Sequence, residues 1–340
     1  MVRTLLAMVA AIAFAAHATA AEPGTMKAVR MHDFGGPEVL KYEDVPKPAP
    51  GPGEVLVRVK AAGINPVDWK LRDGMGRSML KPPFTLGFDV SGVVDAVDPT
   101  AKDFKPGDEV FAYLALTRGG GYAEYAVVPA KDLAKKPAKV DHVHAAAVPL
   151  AALTAWQGLF DHAKLQAGQT VLIHGGAGGV GHFAVQLAAA KGIKVITTSS
   201  AQNVEFVKSL GAQTVIDYKS QKFEDIAKDV DAVFDMIGGD TLERSYQCLK
   251  EGGSLVSIVA APDQAKLAAK KAKGSRFLVQ PNAKQLSQIA ALIDDGKLKP
   301  DVSATFDLQD AGKAQELSKS GGTGRGKIVL SVPDQAAAVR

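Results

Sequence analysis

Cysteine is nearly absent: one residue, Cys248, occurs in 340. An intrachain disulfide is therefore excluded, as is a zinc site built on several thiolates. Cys248 falls in the apolar-periodic "TLERSYQCLKEGG" and reads as a small buried hydrophobe. Net charge is small as well, +4 at this length, which gives no reason to expect nucleic acid as a partner. Lys266, Lys270, Lys271, Lys273 and Arg276 read as a solvated helix face rather than an anion or RNA site. Among the scattered histidines, His142 and His144 lack a third ligand at suitable spacing, so no metal site is expected. No internal repeat is visible.

No long apolar run is present either. The stretch at 5–16 is too short for a transmembrane helix, so no membrane span is expected in the mature chain. It sits instead in a secretory-signal layout, with Arg3 in a short basic start and Ala18-Thr19-Ala20 after the apolar run. Cleavage after Ala20 and a periplasmic or secreted location follow. The competing reading is translation from Met26 and a cytoplasmic protein.

The rest is globular in composition, 46% hydrophobic and 22% charged, and long enough for two domains. From residue 26 to about 150, short β-rich segments such as "EVLVRVKAAGI" and "YAEYAVVP" alternate with Gly/Pro punctuation, as in a small β-barrel. "AAAVPLAALTAWQGLFDHA" reads as helix, broken at Pro149. Across 151–285 strands and helices alternate ("TVLIHG", "VGHFAVQLAAAKG", "KVITTS", "DAVFDMIG", "GSLVSIVA"), which argues for an α/β unit with a doubly wound parallel sheet. Residues 286–332 are expected to return to the first domain, and 333–340 to form a frayed tail.

Gly176-Ala177-Gly178-Gly179-Val180-Gly181 fits G-x-G-x-x-G between a strand and a helix, the setting in which that pattern marks a dinucleotide site. Gly176 is assigned the tight turn, Gly178 the close approach of a pyrophosphate, and Gly181 the packing of the helix on the sheet. The helix start offers unpaired N–H groups to the phosphates. The next strand chooses the cofactor. It ends in Thr197, Thr198, Ser199 and Ser200, with no carboxylate before Glu205. An NAD site carries an acidic residue there. A neutral end accommodates a 2′-phosphate, so NADP(H) is expected, with Ser199, Ser200 and Asn203 bonding the phosphate and its cation coming from elsewhere.

With "GPEVL", "PGPGEVLVRVKAAGINPVDWKLRDG", "LGFDVSGVV", "FKPGDEVFAY", "GGYAEYAVVP", "AALTAW", "GGAGGVGHFAVQLA", "SLGAQTVIDY" and "GKIVL" in one chain, residues 26–332 resemble the medium-chain dehydrogenase/reductase superfamily, in its zinc-free quinone oxidoreductase (zeta-crystallin-like) branch. The resemblance implies a split GroES-like β-barrel catalytic domain around a Rossmann domain, with the cofactor in the cleft, a small-molecule quinone or enone as substrate, and a homodimer. Where zinc members carry a Cys and a His ligand, this chain has Asn65 and Phe88. Catalysis then rests on hydrogen-bond donors aimed at the reacting oxygen. By resemblance Asn65 and Asp68 stand at the nicotinamide end, Asn65 as donor and Asp68 holding the loop or a ribose hydroxyl, with Trp69 as wall. Asn65 shaping a turn before Pro66 and Trp69 as core packing are the competing readings. Cofactor contacts carried over in the same way are Thr154, Tyr218, Ile237, Gly238, Val259, Ala260, Phe277, Leu278, Val279 and Lys327. An alcohol dehydrogenase-like enzyme and a non-catalytic NADPH-binding protein remain the alternatives.

Overall fold

A computed structural model describes residues 24–333; the expected leader and cleavage point, and the tail from 334, lie outside them. Eight strands come first: β1 (Thr25–Met31), β2 (Leu40–Pro46), β3 (Glu54–Gly63), β4 (Phe84–Thr85), β5 (Asp89–Val97), β6 (Glu109–Tyr113), β7 (Tyr125–Pro129) and β8 (Leu133–Lys135). Six follow in the middle: β9 (Thr170–Ile173), β10 (Lys194–Ser199), β11 (Thr214–Asp217), β12 (Val230–Asp235), β13 (Leu249–Ser257) and β14 (Lys273–Arg276). The last two are β15 (Val302–Asp307) and β16 (Lys327–Ser331).

β3 is the spine of the barrel-like part. Val57 and Val59 are buried and alternate with the partly exposed Arg58 and Lys60, the two-residue period of a half-buried strand. One edge of β3 pairs with β5; the other pairs first with β7 and then, at Ala61, Ala62 and Gly63, with β16. The last described strand is thus stitched into the sheet that the first segment begins. A smaller sheet of order β2-β1-β4 flanks it. β2 gives little sign of itself in the sequence because Val45 is its only buried residue.

The middle six strands form one parallel sheet, β11-β10-β9-β12-β13-β14, the order of a doubly wound dinucleotide fold. Val171, Leu172 and Ile173 of β9 are completely buried, as expected of a central strand covered on both faces. The helix Gly181–Ala190 is buried along most of its length, including Phe183 and Leu187. The molecule is therefore α/β, with a GroES-like domain and a Rossmann-type sheet. The winding reverses between β9 and β12, which opens a crevice at the carboxyl ends of the strands.

The basic segment requires a correction. It is not one helix face: Lys266 lies in the helix Gln264–Ala269, whereas Lys273 and Arg276 bound β14. A polar edge strand carries no apolar alternation to announce it. Lys266 and Lys271 pair with Glu243 and Glu251, and Lys270 bonds the carbonyl of Leu249 at 2.7 Å. Among the described residues no helix is long and apolar enough to cross a membrane.

Candidate functional site

The glycine turn occupies the crevice, and its geometry revises one assignment. The left-handed residue is Gly175, at φ +75°, rather than Gly176. Gly176 lacks a side chain for another reason: a Cβ there would strike the Thr197 hydroxyl, which is fixed on the Ile173 carbonyl at 2.7 Å. Gly181 allows the helix to start against the turn, since its Cβ would strike Gly175 O. Gly178 is less confined: a Cβ added there would meet one atom, Gly175 O, at a tight 3.3 Å. Gly175, Gly176 and Gly178 N–H groups are used internally, on Thr198 Oγ1, Thr198 O and Gly175 O. Among the described residues, the N–H groups of Ala177, Gly179 and Val180 donate to no backbone carbonyl. Three free donors among glycines at a helix start fit a pyrophosphate.

At the end of β10, Ser199 is buried and its hydroxyl has no partner. Asn203 Nδ2 donates to Ser200 Oγ at 3.2 Å and to Gly324 O at 2.9 Å. Tyr218 follows β11, more than half exposed, with its N–H on Ser199 O at 3.2 Å. Gly324 belongs to the glycine-rich return segment "SGGTGRGK", which also reaches the turn through Gly326 N–H to Ala177 O at 2.9 Å. This segment brings Arg325 to the same region, its guanidinium 4.7 Å from the Phe206 ring on the helix after β10. Arg325 lies 126 positions from Ser199 in the sequence, so only the fold brings the two segments together.

The ends of β12 and β13 are shaped by two polar residues that sequence reading missed. Buried Asp235 accepts Ile237 N–H at 3.1 Å, Gly238 N–H at 2.9 Å and the Ser257 hydroxyl at 2.7 Å. Ser257 Oγ in turn accepts Val259 and Ala260 N–H at 3.1 and 3.2 Å. Ile237 and Val259 are thereby held outward into the crevice, with Leu278 exposed beyond β14. Phe277 and Val279 point inward instead, Phe277 stacking on His162 at 4.3 Å. Thr154 is buried, and its hydroxyl returns to the Leu150 carbonyl at 2.7 Å. The signal for Asp235 was present, a carboxylate ending the apolar "DAVFD".

Across the crevice, Asn65, Asp68 and Lys327 converge with Asp89 and Tyr122, all buried. Lys327 Nζ donates to Ile64 O at 2.8 Å and to Asn65 Oδ1, and stands 3.5 Å from Asp89 Oδ2. Asn65 Nδ2 donates to Asp89 Oδ2 at 2.8 Å, leaving one amide hydrogen unassigned. Asn65 also opens the helix Pro66–Lys70, its N–H on Asp68 Oδ2 at 2.6 Å, so turn-shaping and side-chain bonding coexist in one residue. Asp68 Oδ2 further accepts from Tyr122 OH at 2.7 Å, whereas Oδ1 has no partner. Burial pushes the Asp68 carboxyl up to about 7, against the Tyr122 and Asn65 bonds and the Lys327 charge. Burial likewise raises Asp89 and lowers Lys327, each opposed by the other's charge. Trp69 is half-buried, its indole N–H unpartnered. Phe88, where a zinc ligand would stand, is wholly within the core. Among the described residues no group of three or more His, Cys, Asp or Glu is placed to hold a metal ion.

The two halves meet at Lys327. A Cβ on Gly179 would lie 3.1 Å from Lys327 Cδ, so the lysine stem passes the glycine turn before its ammonium reaches Asn65. A turn that fits a pyrophosphate and a buried polar cluster thus face each other across the crevice. Residues 51–138 match the alcohol dehydrogenase GroES-like domain, and 210–330 the zinc-binding dehydrogenase family. The chloroplastic NADPH-dependent alkenal/one oxidoreductase of Arabidopsis thaliana is 39% identical over 293 residues, 83% of this chain and 73% of that protein. Quinone oxidoreductase of Homo sapiens is 32% identical over 322 residues, 90% of this chain and 97% of that protein. The solved quinone oxidoreductase of Coxiella burnetii matches at 37% identity with a TM-score of 0.85, covering 91% of this chain and all of that one. The chain belongs to the quinone oxidoreductase branch of the medium-chain dehydrogenase/reductase superfamily.

Proposed function

We propose that this protein transfers hydride from NADPH to quinones or activated alkenes (enones and alkenals) without zinc. The observation that carries this reading is the Lys327 joint, which makes the cofactor turn and the Asn65 cluster one continuous structure. Ala177, Gly179 and Val180 N–H groups would hold the pyrophosphate. Ser199, Ser200 and Asn203 would bond the 2′-phosphate, with Arg325 as its cation and Tyr218 beside the adenosine. Ile237, Gly238, Val259, Ala260 and Leu278 would line the reacting end, and Phe277, Val279 and Thr154 support it from behind.

Bound NADPH supplies the hydride. The protein's task is to steady negative charge growing on the acceptor oxygen, and preorganised donors in a dry site do this effectively. Asn65 has one amide hydrogen to give. Lys327 has none to spare, so it acts by fixing Asn65 and by its charge. Asp68, fully buried, holds the loop. Delocalised enolate or hydroquinone charge suits so modest a donor set, whereas a saturated alkoxide calls for a metal or a strong acid.

The test is quinone- and enone-dependent NADPH oxidation, with and without chelator, on protein assayed for metal. Activity that survives chelation on metal-free protein is expected. Stoichiometric zinc, or turnover confined to saturated alcohols, would overturn the reading; NADPH binding without turnover would make this a binding protein. We extend the reading to a homodimer, tested by sedimentation, to functional units at 26–150 with 286–332 and at 151–285, and to export, for which the mature chain should begin at Ala21.

A further inference from the structure

Two histidines bracket the glycine turn, and the chemistry above uses neither. His174 precedes it and His182 follows it, both without exposed surface. The bonds of His174 fix its tautomer. Ser245 Oγ gives its one proton to Thr241 O at 2.6 Å, so at 2.9 Å from His174 Nε2 it must accept. Nε2 therefore carries the hydrogen, and bare Nδ1 accepts from the Thr198 hydroxyl at 3.3 Å. The Thr198 lone pairs are then left for Gly175 N–H, at 3.0 Å. A chain of four bonds runs from the helix Gly239–Ser245 to the left-handed residue of the turn.

His182 holds the other end. Its Nδ1–H donates to Gly178 O at 2.9 Å, where its own backbone N–H also arrives at 3.0 Å. Nε2 faces Asp301 N–H at 3.4 Å, across the joint. The charges facing His174 are Asp235 and Arg244, with the Phe223 ring edge-on; Lys327 faces His182. Burial keeps both imidazoles neutral, pushed down to about 4.

We propose that His174 and His182 are positioning residues for the cofactor pyrophosphate, each pinning one end of the turn so that the free N–H groups between them converge before ligand arrives. The proposal rests on the NADPH reading of the turn. A turn already ordered in the free protein spares the cofactor the entropy of ordering it. Releasing one end should therefore weaken binding more than turnover.

The experiment compares His174→Phe, His182→Phe and Ser245→Ala by NADPH fluorescence titration, turnover at saturating NADPH and thermal melting. Each is expected to raise the NADPH Kd about tenfold while turnover falls less than about threefold. Ser245→Ala breaks the His174 chain one link back without touching the turn, so it stands in should His174→Phe fail to fold. Combined with His174→Phe it should add little, whereas His182→Phe should multiply the effect. A lowered melting temperature with unchanged Kd in all three would overturn the proposal and leave the histidines as core residues. Wild-type protein that binds no NADPH would overturn the cofactor reading itself, and this inference with it.

Discussion

Around the glycine turn the polar contacts are neutral: backbone amides, serine and threonine hydroxyls, and two uncharged imidazoles. On the opposite wall, Asp68, Asp89 and Lys327 share one buried volume with Asn65 and Tyr122. The first side is sensitive to added atoms, because backbone there approaches backbone. The second is sensitive to lost charge, because each ion is tolerated only through its partners. Placed together, they show two ways of building a polar wall: by close backbone approach on one side and by mutually compensating buried charges on the other.

The sharpest break in this comparison is Lys327→Met. It strands Asp89 and Asp68 without their cation, and removing one partner of a buried pair costs about 3–5 kcal/mol. Urea denaturation should show that loss, and adding Asp89→Asn to the same chain should return part of it. Next is Gly181→Ala, which conserves charge and adds one methyl against Gly175 O. Overpacking of this kind costs about 1–3 kcal/mol, and NADPH titration should show the affinity falling with it. A smaller effect tests the neutrality of the β10 end. Ser199→Asp sets a carboxylate beside the 2′-phosphate, an unfavourable interaction of about 1–2 kcal/mol or roughly five- to thirtyfold in Kd. NADPH should lose that much and NADH should not; equal affinity of the unaltered protein for both cofactors would already sink the assignment.

The smallest effect concerns protons. Asp68 has its carboxyl raised to about 7 in the folded protein, against roughly 3.9 unfolded. The folded state thus binds the extra proton, and the contribution of this group is full below about 4 and lost as pH rises through about 7. Near the midpoint, stability should gain about 0.7 kcal/mol per unit of acidification. Asp68→Asn should remove that slope between pH 7.5 and 6.5, as read by denaturation at each pH.

How far the site was legible follows the same division. The parallel sheet and the cradle could be read because each rests on local pattern: an apolar strand, glycines, a helix. The hydroxyl-rich end of β10 was equally local. The charged wall was read only in part. Asn65, Asp68 and Lys327 were picked out through resemblance, but Asp89, one residue after Phe88, was passed over, although its Oδ2 accepts from Asn65 and stands near Lys327. Pairing across 262 positions leaves no periodic trace. β14 was hidden for a different reason, since an edge strand ending in Arg276 has few apolar residues to alternate. Gly175 was missed because the motif begins one residue too late to include it.

Consider finally the order in which a ribosome releases this chain. β3 emerges early, yet one length of its edge waits for β16, among the last residues described. Until Lys327 appears, Asn65 and Asp89 lack their cation, and until Gly326 appears, Ala177 O lacks its donor. A nascent chain stopped short of residue 326 therefore has the whole parallel sheet but neither side of the joint complete. Such contacts between distant segments are the slow ones to form. Both sides of the joint are therefore completed by one strand and the residue before it, after the parallel sheet has emerged.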